Sequence, residues 1–106
     1  MKKVLYSPGF GAGWTTWACG EEVARYIGTY QPLIDFIEGG GKMDSPEADQ
    51  LLSVLAEECE KQFGETLHTG GAQDLEVHTF PDDEVVCIDE YDGNETIRSR
   101  AEGIWF

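Results

Sequence analysis

Residues 45–64, SPEADQLLSVLAEECEKQFG, decide the fold. Ser45 is a natural N-cap, Pro46 suits the first helical position, and Glu47 and Asp49 complement the positive end of a helix dipole. Ala48, Leu51, Leu52, Leu55, Cys59 and Phe63 then recur at helical spacing and form one apolar stripe. Gly64 supplies the stop. The sequence therefore predicts one helix over Pro46–Phe63, with Leu51, Leu52, Leu55 and Cys59 buried. Glu57, Glu58 and Glu60 occupy its other face. Cys59 lies in the stripe and reads as a small core residue, not a nucleophile.

Downstream of this helix the period changes to strict alternation. Leu75, Val77 and Thr79 alternate with Glu76, His78 and Phe80. Pro81-Asp82-Asp83 reads as a turn, Glu84–Tyr91 as a second strand, Asp92-Gly93 as a hairpin turn and Thr96–Arg100 as a third strand. Upstream, Lys2–Tyr6 reads as a strand of the same sheet. Gly20–Ile27 reads as a short helix with Val23, Tyr26 and Ile27 on one face, and Gly28 stops it. Pro32–Glu38 is a second short helix with Leu33, Phe36 and Ile37 inward, ended by Gly39-Gly40-Gly41. Ile104-Trp105-Phe106 is too apolar for a free tail and is expected to dock on the core or a partner. The expected fold is a single α+β domain over residues 1–106. In it a small antiparallel sheet, a meander plus the N-terminal strand, is covered by one long helix and two short helices.

Charge narrows the function classes. The 106 residues hold 7 Lys and Arg against 21 Asp and Glu, a net of −14. Between Asp44 and Glu95 there are 16 acids and one base, Lys61, so that segment alone carries −15. Such a field repels nucleic acid and anionic membranes and favours basic partners, cations or plain solubility. Cys19, Cys59 and Cys87 are odd in number and widely spaced, with no CxxC. There is no signal peptide and no apolar run of about 18 residues. Reduced thiols in a cytoplasm, that of a bacterial host cell included, are the simplest account.

Ser7–Trp17, SPGFGAGWTTW, concentrates three glycines, one proline and two tryptophans. A dinucleotide fingerprint fails here, because Trp14 stands where the third glycine belongs and no βαβ pattern follows. Gly41-Lys42 likewise fails as a phosphate loop, with Phe36 and Met43 at positions that need glycine and Ser/Thr. What survives is a concave site of loop N–H groups, Gly9, Gly11 and Gly13, with Trp14 or Trp17 stacking on a small anionic or aromatic ligand. Against it stands a structural loop whose tryptophans plug the core. The expectation is one of each, Trp17 in the core and Trp14 nearer the surface.

The stretch from Asp89 to Glu95 resembles a calcium loop only superficially. With Gly93 at the sixth position, Ile88 and Ser99 occupy the first and twelfth, where acids are required. His68 and His78 lack partners at metal-ligand spacing, so no metal and no cofactor are assigned. Cys19 with either histidine is the one nucleophile–base pairing to consider, and no residue is assigned a catalytic role.

In PGFGAGW at Pro8–Trp14, GGAQDLEV at Gly70–Val77 and EYDG at Glu90–Gly93, the chain resembles a group of small uncharacterised proteins encoded in bacteriophage genomes. The likeness spans most of the chain except the middle helix. It implies a phage setting and interference with host machinery, and carries over no activity. The leading reading is a small acidic protein that acts by binding and occludes a basic surface of a host defence or regulatory protein. Asp82, Asp83, Glu84, Asp89, Glu90, Asp92 and Glu95 would supply the charge, with Trp105 or the tryptophan loop as the apolar anchor. The alternatives are a nucleotide-like ligand in the loop and a cysteine-dependent enzyme.

Overall fold

The structure, a computed structural model, describes residues 1–9, 13–18, 20–67, 69, 71–91, 94–99 and 106. In chain order the elements are β1 (Lys2–Tyr6), α1 (Glu21–Gly28), α2 (Gln31–Glu38), α3 (Pro46–Phe63), β2 (Glu76–Phe80), β3 (Val86–Tyr91) and β4 (Asn94–Ser99). Short 3₁₀ turns lie at Thr15–Trp17 and Ala72–Asp74. The class is α+β.

α3 forms for the reasons its sequence gives. The Ser45 hydroxyl accepts the Ala48 N–H at 3.3 Å, and Pro46 opens the first turn. Gly64 closes the helix at φ +67°, a left-handed conformation that glycine adopts without a Cβ penalty. Ala48, Leu55 and Cys59 are buried, while Leu51 and Leu52 are half-buried, less than the stripe predicts. Leu51 borders an open groove with Phe36 and Val54, so the apolar stripe is wider than the contact that covers it. α2 buries Leu33 and also Ile34, with Phe36 and Ile37 packed at its margin.

The strands depart from a single meander. β1 pairs antiparallel with β2, Leu5 opposite Val77, and β3 pairs with β4, Ile88 opposite Ile97. No ladder joins β2 to β3. Two causes are visible. Pro81, which has no N–H, follows β2, and its carbonyl closes a turn on Glu84 N–H at 3.0 Å. At Val86 the edge of β3 away from β4 is taken by Phe106, which exchanges two backbone hydrogen bonds with it, at 2.9 and 3.3 Å. Phe106 thus docks on the core as expected, while residues 104 and 105 lie outside the described set.

The β1–β2 ribbon consequently serves two hydrophobic clusters. Leu5 and Val77 point one way and join Trp14, Val23, Ile27, Leu33, Ile34, Leu55, Cys59 and Leu75 beneath the helices. Val4, Tyr6 and Phe80 point the other way and meet Val86, Ile88, Ile97 and Phe106. Strict alternation along a strand makes this division, since successive side chains take opposite faces. β2 is accordingly less cleanly amphipathic than its sequence suggests: Thr79 is exposed and Phe80 buried.

Candidate functional site

Where β1 ends, the chain enters the glycine and tryptophan loop, and the start of β4 lies against it. Ser7 and Glu95 form the joint. Ser7 N–H donates to Glu95 Oε1 at 2.8 Å, and Glu95 N–H donates to the Ser7 carbonyl at 2.8 Å. The Ser7 hydroxyl donates to the Gly71 carbonyl at 2.9 Å. Glu95 Oε2 receives Trp14 N–H at 2.7 Å, Thr16 N–H at 3.0 Å and the Thr16 hydroxyl at 2.5 Å. One fully buried carboxylate therefore accepts from three backbone N–H groups and one hydroxyl.

The N–H groups that converge here are those of Ser7, Trp14 and Thr16, not of Gly9 or Gly13, and the carboxylate they hold belongs to the same chain. Burying a carboxylate is expensive unless hydrogen bonds replace its hydration, and here four donors do so. Gly13 is required by the same packing. A Cβ there would lie 2.5 Å from Thr16 Oγ1, 2.6 Å from Trp17 Cδ1 and 3.0 Å from Glu95 Oε2.

The two indoles exchange their expected places. Trp14 is fully buried, and its N–H caps the Ile27 carbonyl in the last turn of α1 at 3.0 Å. Trp17 is 41% exposed, with its N–H donated to Glu90 Oε2 at 2.8 Å. The correction has a local cause. The Trp14 N–H is held by Glu95, which fixes that residue on the core side. The 3₁₀ turn from Thr15 then carries Trp17 round to the β3–β4 hairpin.

Glu95 also corrects the predicted acidic surface, because it lies inside. Its register partner is Glu90, which is exposed. Alternation did not mark it: Glu95 shares a face with Ile97, but its exposed partner Glu90 shares that face with Ile88 in the same way. Ser7 and Thr16 carried no signal either. The remaining acids divide. Glu90, Trp17 and Asp89, the last paired with Arg98 at 2.8 Å, gather toward the hairpin end. Asp82, Asp83 and Glu84 sit before the other end of β3, with Asp82 2.9 Å from the Met1 amino group. Gly11, Asp92 and Trp105 lie outside the described residues.

Gly9 borders a depression of about 510 Å³ lined by Pro8, Gln73, Asp74, Leu75 and Glu76. A Cβ on Gly9 would collide with the Asp74 carboxylate. Two carboxylates on this wall oppose an anionic ligand, and neither indole is among its lining residues.

Cys19 and His68 lie outside the described residues. His78 stacks on Phe80 with ring centres 5.8 Å apart and meets Tyr6 edge-on. Burial pushes the thiols of Cys59 and Cys87 up, helped by Glu58 and Asp89 respectively, which suits core residues. Among the described residues no group of three or more His, Cys, Asp or Glu is placed to hold a metal ion. Also among them, no helix is long and apolar enough to cross a membrane. Comparison with protein-family models, curated proteins and solved structures finds no match to this chain.

Proposed function

We propose that the protein acts by binding a basic partner through the rim where the Thr15–Trp17 turn meets the end of the β3–β4 hairpin. The observation that carries this reading is the Trp17 indole, 41% exposed yet fixed in direction by Glu90, on a strand whose last residue, Tyr91, is 83% exposed. An aromatic anchor already held in place loses little conformational freedom on binding. Acidic surroundings speed encounter with a basic surface and discriminate against acidic ones. Glu90 holds the anchor, Asp89 precedes Glu90 in β3 and pairs with Arg98, and the segment from Asp44 to Glu95 extends the field. In the phage setting that the sequence resemblance implies, the partner is a nucleic-acid-binding defence or regulatory protein of the bacterial host. Its basic face would be occluded by carboxylates in place of phosphates.

The test is capture from bacterial lysate by the immobilised protein, at low and high salt, with wild type beside Trp17→Ser and Tyr91→Ser. Basic proteins retained at low salt, released at high salt and lost with both variants support the reading. Retention that ignores salt, or that both variants share with wild type, contradicts it.

A further inference from the structure

The N-terminal part of the chain differs from the rest in charge. Residues 1–43 hold Lys2, Lys3, Arg25 and Lys42 against Glu21, Glu22, Asp35 and Glu38, and are neutral. Three of those four cations border one depression of about 490 Å³, which Phe80 and Phe106 also line. That volume lies in the range of small-molecule sites.

The cations there are not equivalent. Lys3 pairs with Glu38 at 2.5 Å and Arg25 with Glu21 at 2.8 Å. Lys2 has no carboxylate within ion-pair distance among the described residues. Its ammonium instead lies over the Phe80 ring, 5.2 Å from the centre. A cation held against an aromatic face, with no acid to neutralise it, keeps its charge for an incoming group. The aromatic wall is fixed as well. Phe106 is tied to Val86 by two backbone hydrogen bonds and packs against Gly28, where a Cβ would come within 2.8 Å of its ring.

We propose that this depression binds a small organic mono-anion bearing a flat aromatic ring. The charge meets Lys2, beside Arg25 and Lys3, and the ring lies against Phe106. The net charge of −14 sets the class. A polyanion is repelled by the whole molecule, whereas one negative charge on an apolar body gains short-range contacts and meets little of that field. This site is separate from the acidic rim and does not depend on it.

The probe is 8-anilinonaphthalene-1-sulfonate, beside its uncharged analogue N-phenyl-1-naphthylamine, titrated into the native protein at neutral pH. Saturable enhancement at one site is expected, with Lys2→Gln weakening it about tenfold, the loss of one charge-assisted contact. Lys61→Gln, on α3, should leave it unchanged. Backbone amide shifts in the wild-type protein should move at Lys2, Arg25, Gln31 and Phe106, which tests the site even if Lys2→Gln is poorly folded. No saturable binding, equal affinity for the uncharged analogue, equal affinity in a folded Lys2→Gln, or shifts centred on the Phe36–Val54 groove would each overturn the proposal.

Discussion

Glu90 and Glu95 face each other across the β3–β4 ladder, and each receives hydrogen bonds from the same short turn. One lies at a buried joint with Trp14, the other at an exposed rim with Trp17. The joint fastens β1, the stretch from Trp14 to Thr16 and β4 into one unit through backbone N–H groups. The rim fastens a single side chain in water. Equal chemistry in adjacent places thus does unequal work, and the difference is burial. A hydrogen bond made in water exchanges for another with little change, while a donor stranded inside loses its whole solvation. It follows that net charge overstates the acidic surface, since Glu95 contributes nothing to a partner.

The largest expected difference lies between the indoles. Trp14→Ala should destabilise the protein by about 3–5 kcal/mol, the usual effect of emptying a large core site. Trp17→Ala should change stability by less than about 1 kcal/mol, because the side chain already meets water. Thermal unfolding of the two variants checks this, and equal losses would erase the distinction between joint and rim.

A smaller effect is expected at Gly13. Gly13→Ala forces a methyl against Thr16, Trp17 and Glu95 and should cost about 1–3 kcal/mol by overpacking. Gly20→Ala, where a Cβ meets nothing within 4 Å, is the control and should be nearly neutral. Denaturation midpoints with unchanged slopes would locate the cost in the native state.

The smallest effect is a dependence on alkaline pH. The thiols of Cys59 and Cys87 are raised above their ordinary value of 9.0 by burial, and the phenols of Tyr6 and Tyr30 above 10.0 for the same first cause. A raised value in the folded state means that the unfolded chain loses these protons first. The stability they contribute is therefore complete below about pH 9 and declines as pH rises through the ordinary and then the folded values. Native Cys59 and Cys87 should resist alkylation at neutral pH and react once the protein is denatured. Rapid labelling of either in the native state would remove it from the core.

The helices were legible because periodicity and stops agree within each one, and in α3 the Ser45 cap agrees as well. α3 was readable to both ends, from Ser45 to Gly64. The hairpin was readable for similar reasons, through Val86, Ile88 and Ile97. The split into two sheets was not, since it depends on Phe106 reaching β3 from beyond β4, a contact that no local pattern encodes. The candidate loop was legible in part. Its composition singled out the stretch but pointed to glycine N–H groups, whereas the donors are those of Ser7, Trp14 and Thr16. Glu95 lies more than eighty positions away from Trp14 and looks like one acid among many. Which indole turns inward was likewise set by that distant carboxylate.

Equilibrium urea unfolding of Glu95→Gln beside Glu90→Gln tests the central claim most directly. The substitution keeps shape and replaces one acceptor oxygen by a donor. At position 95 either orientation of the amide sets N–H against N–H, at Ser7 or at Trp14 and Thr16. The account predicts a loss of about 2–4 kcal/mol for Glu95→Gln, from buried donors left unpaired, and less than about 1 kcal/mol for Glu90→Gln. Equal losses, or a Glu95→Gln variant as stable as wild type, would contradict it.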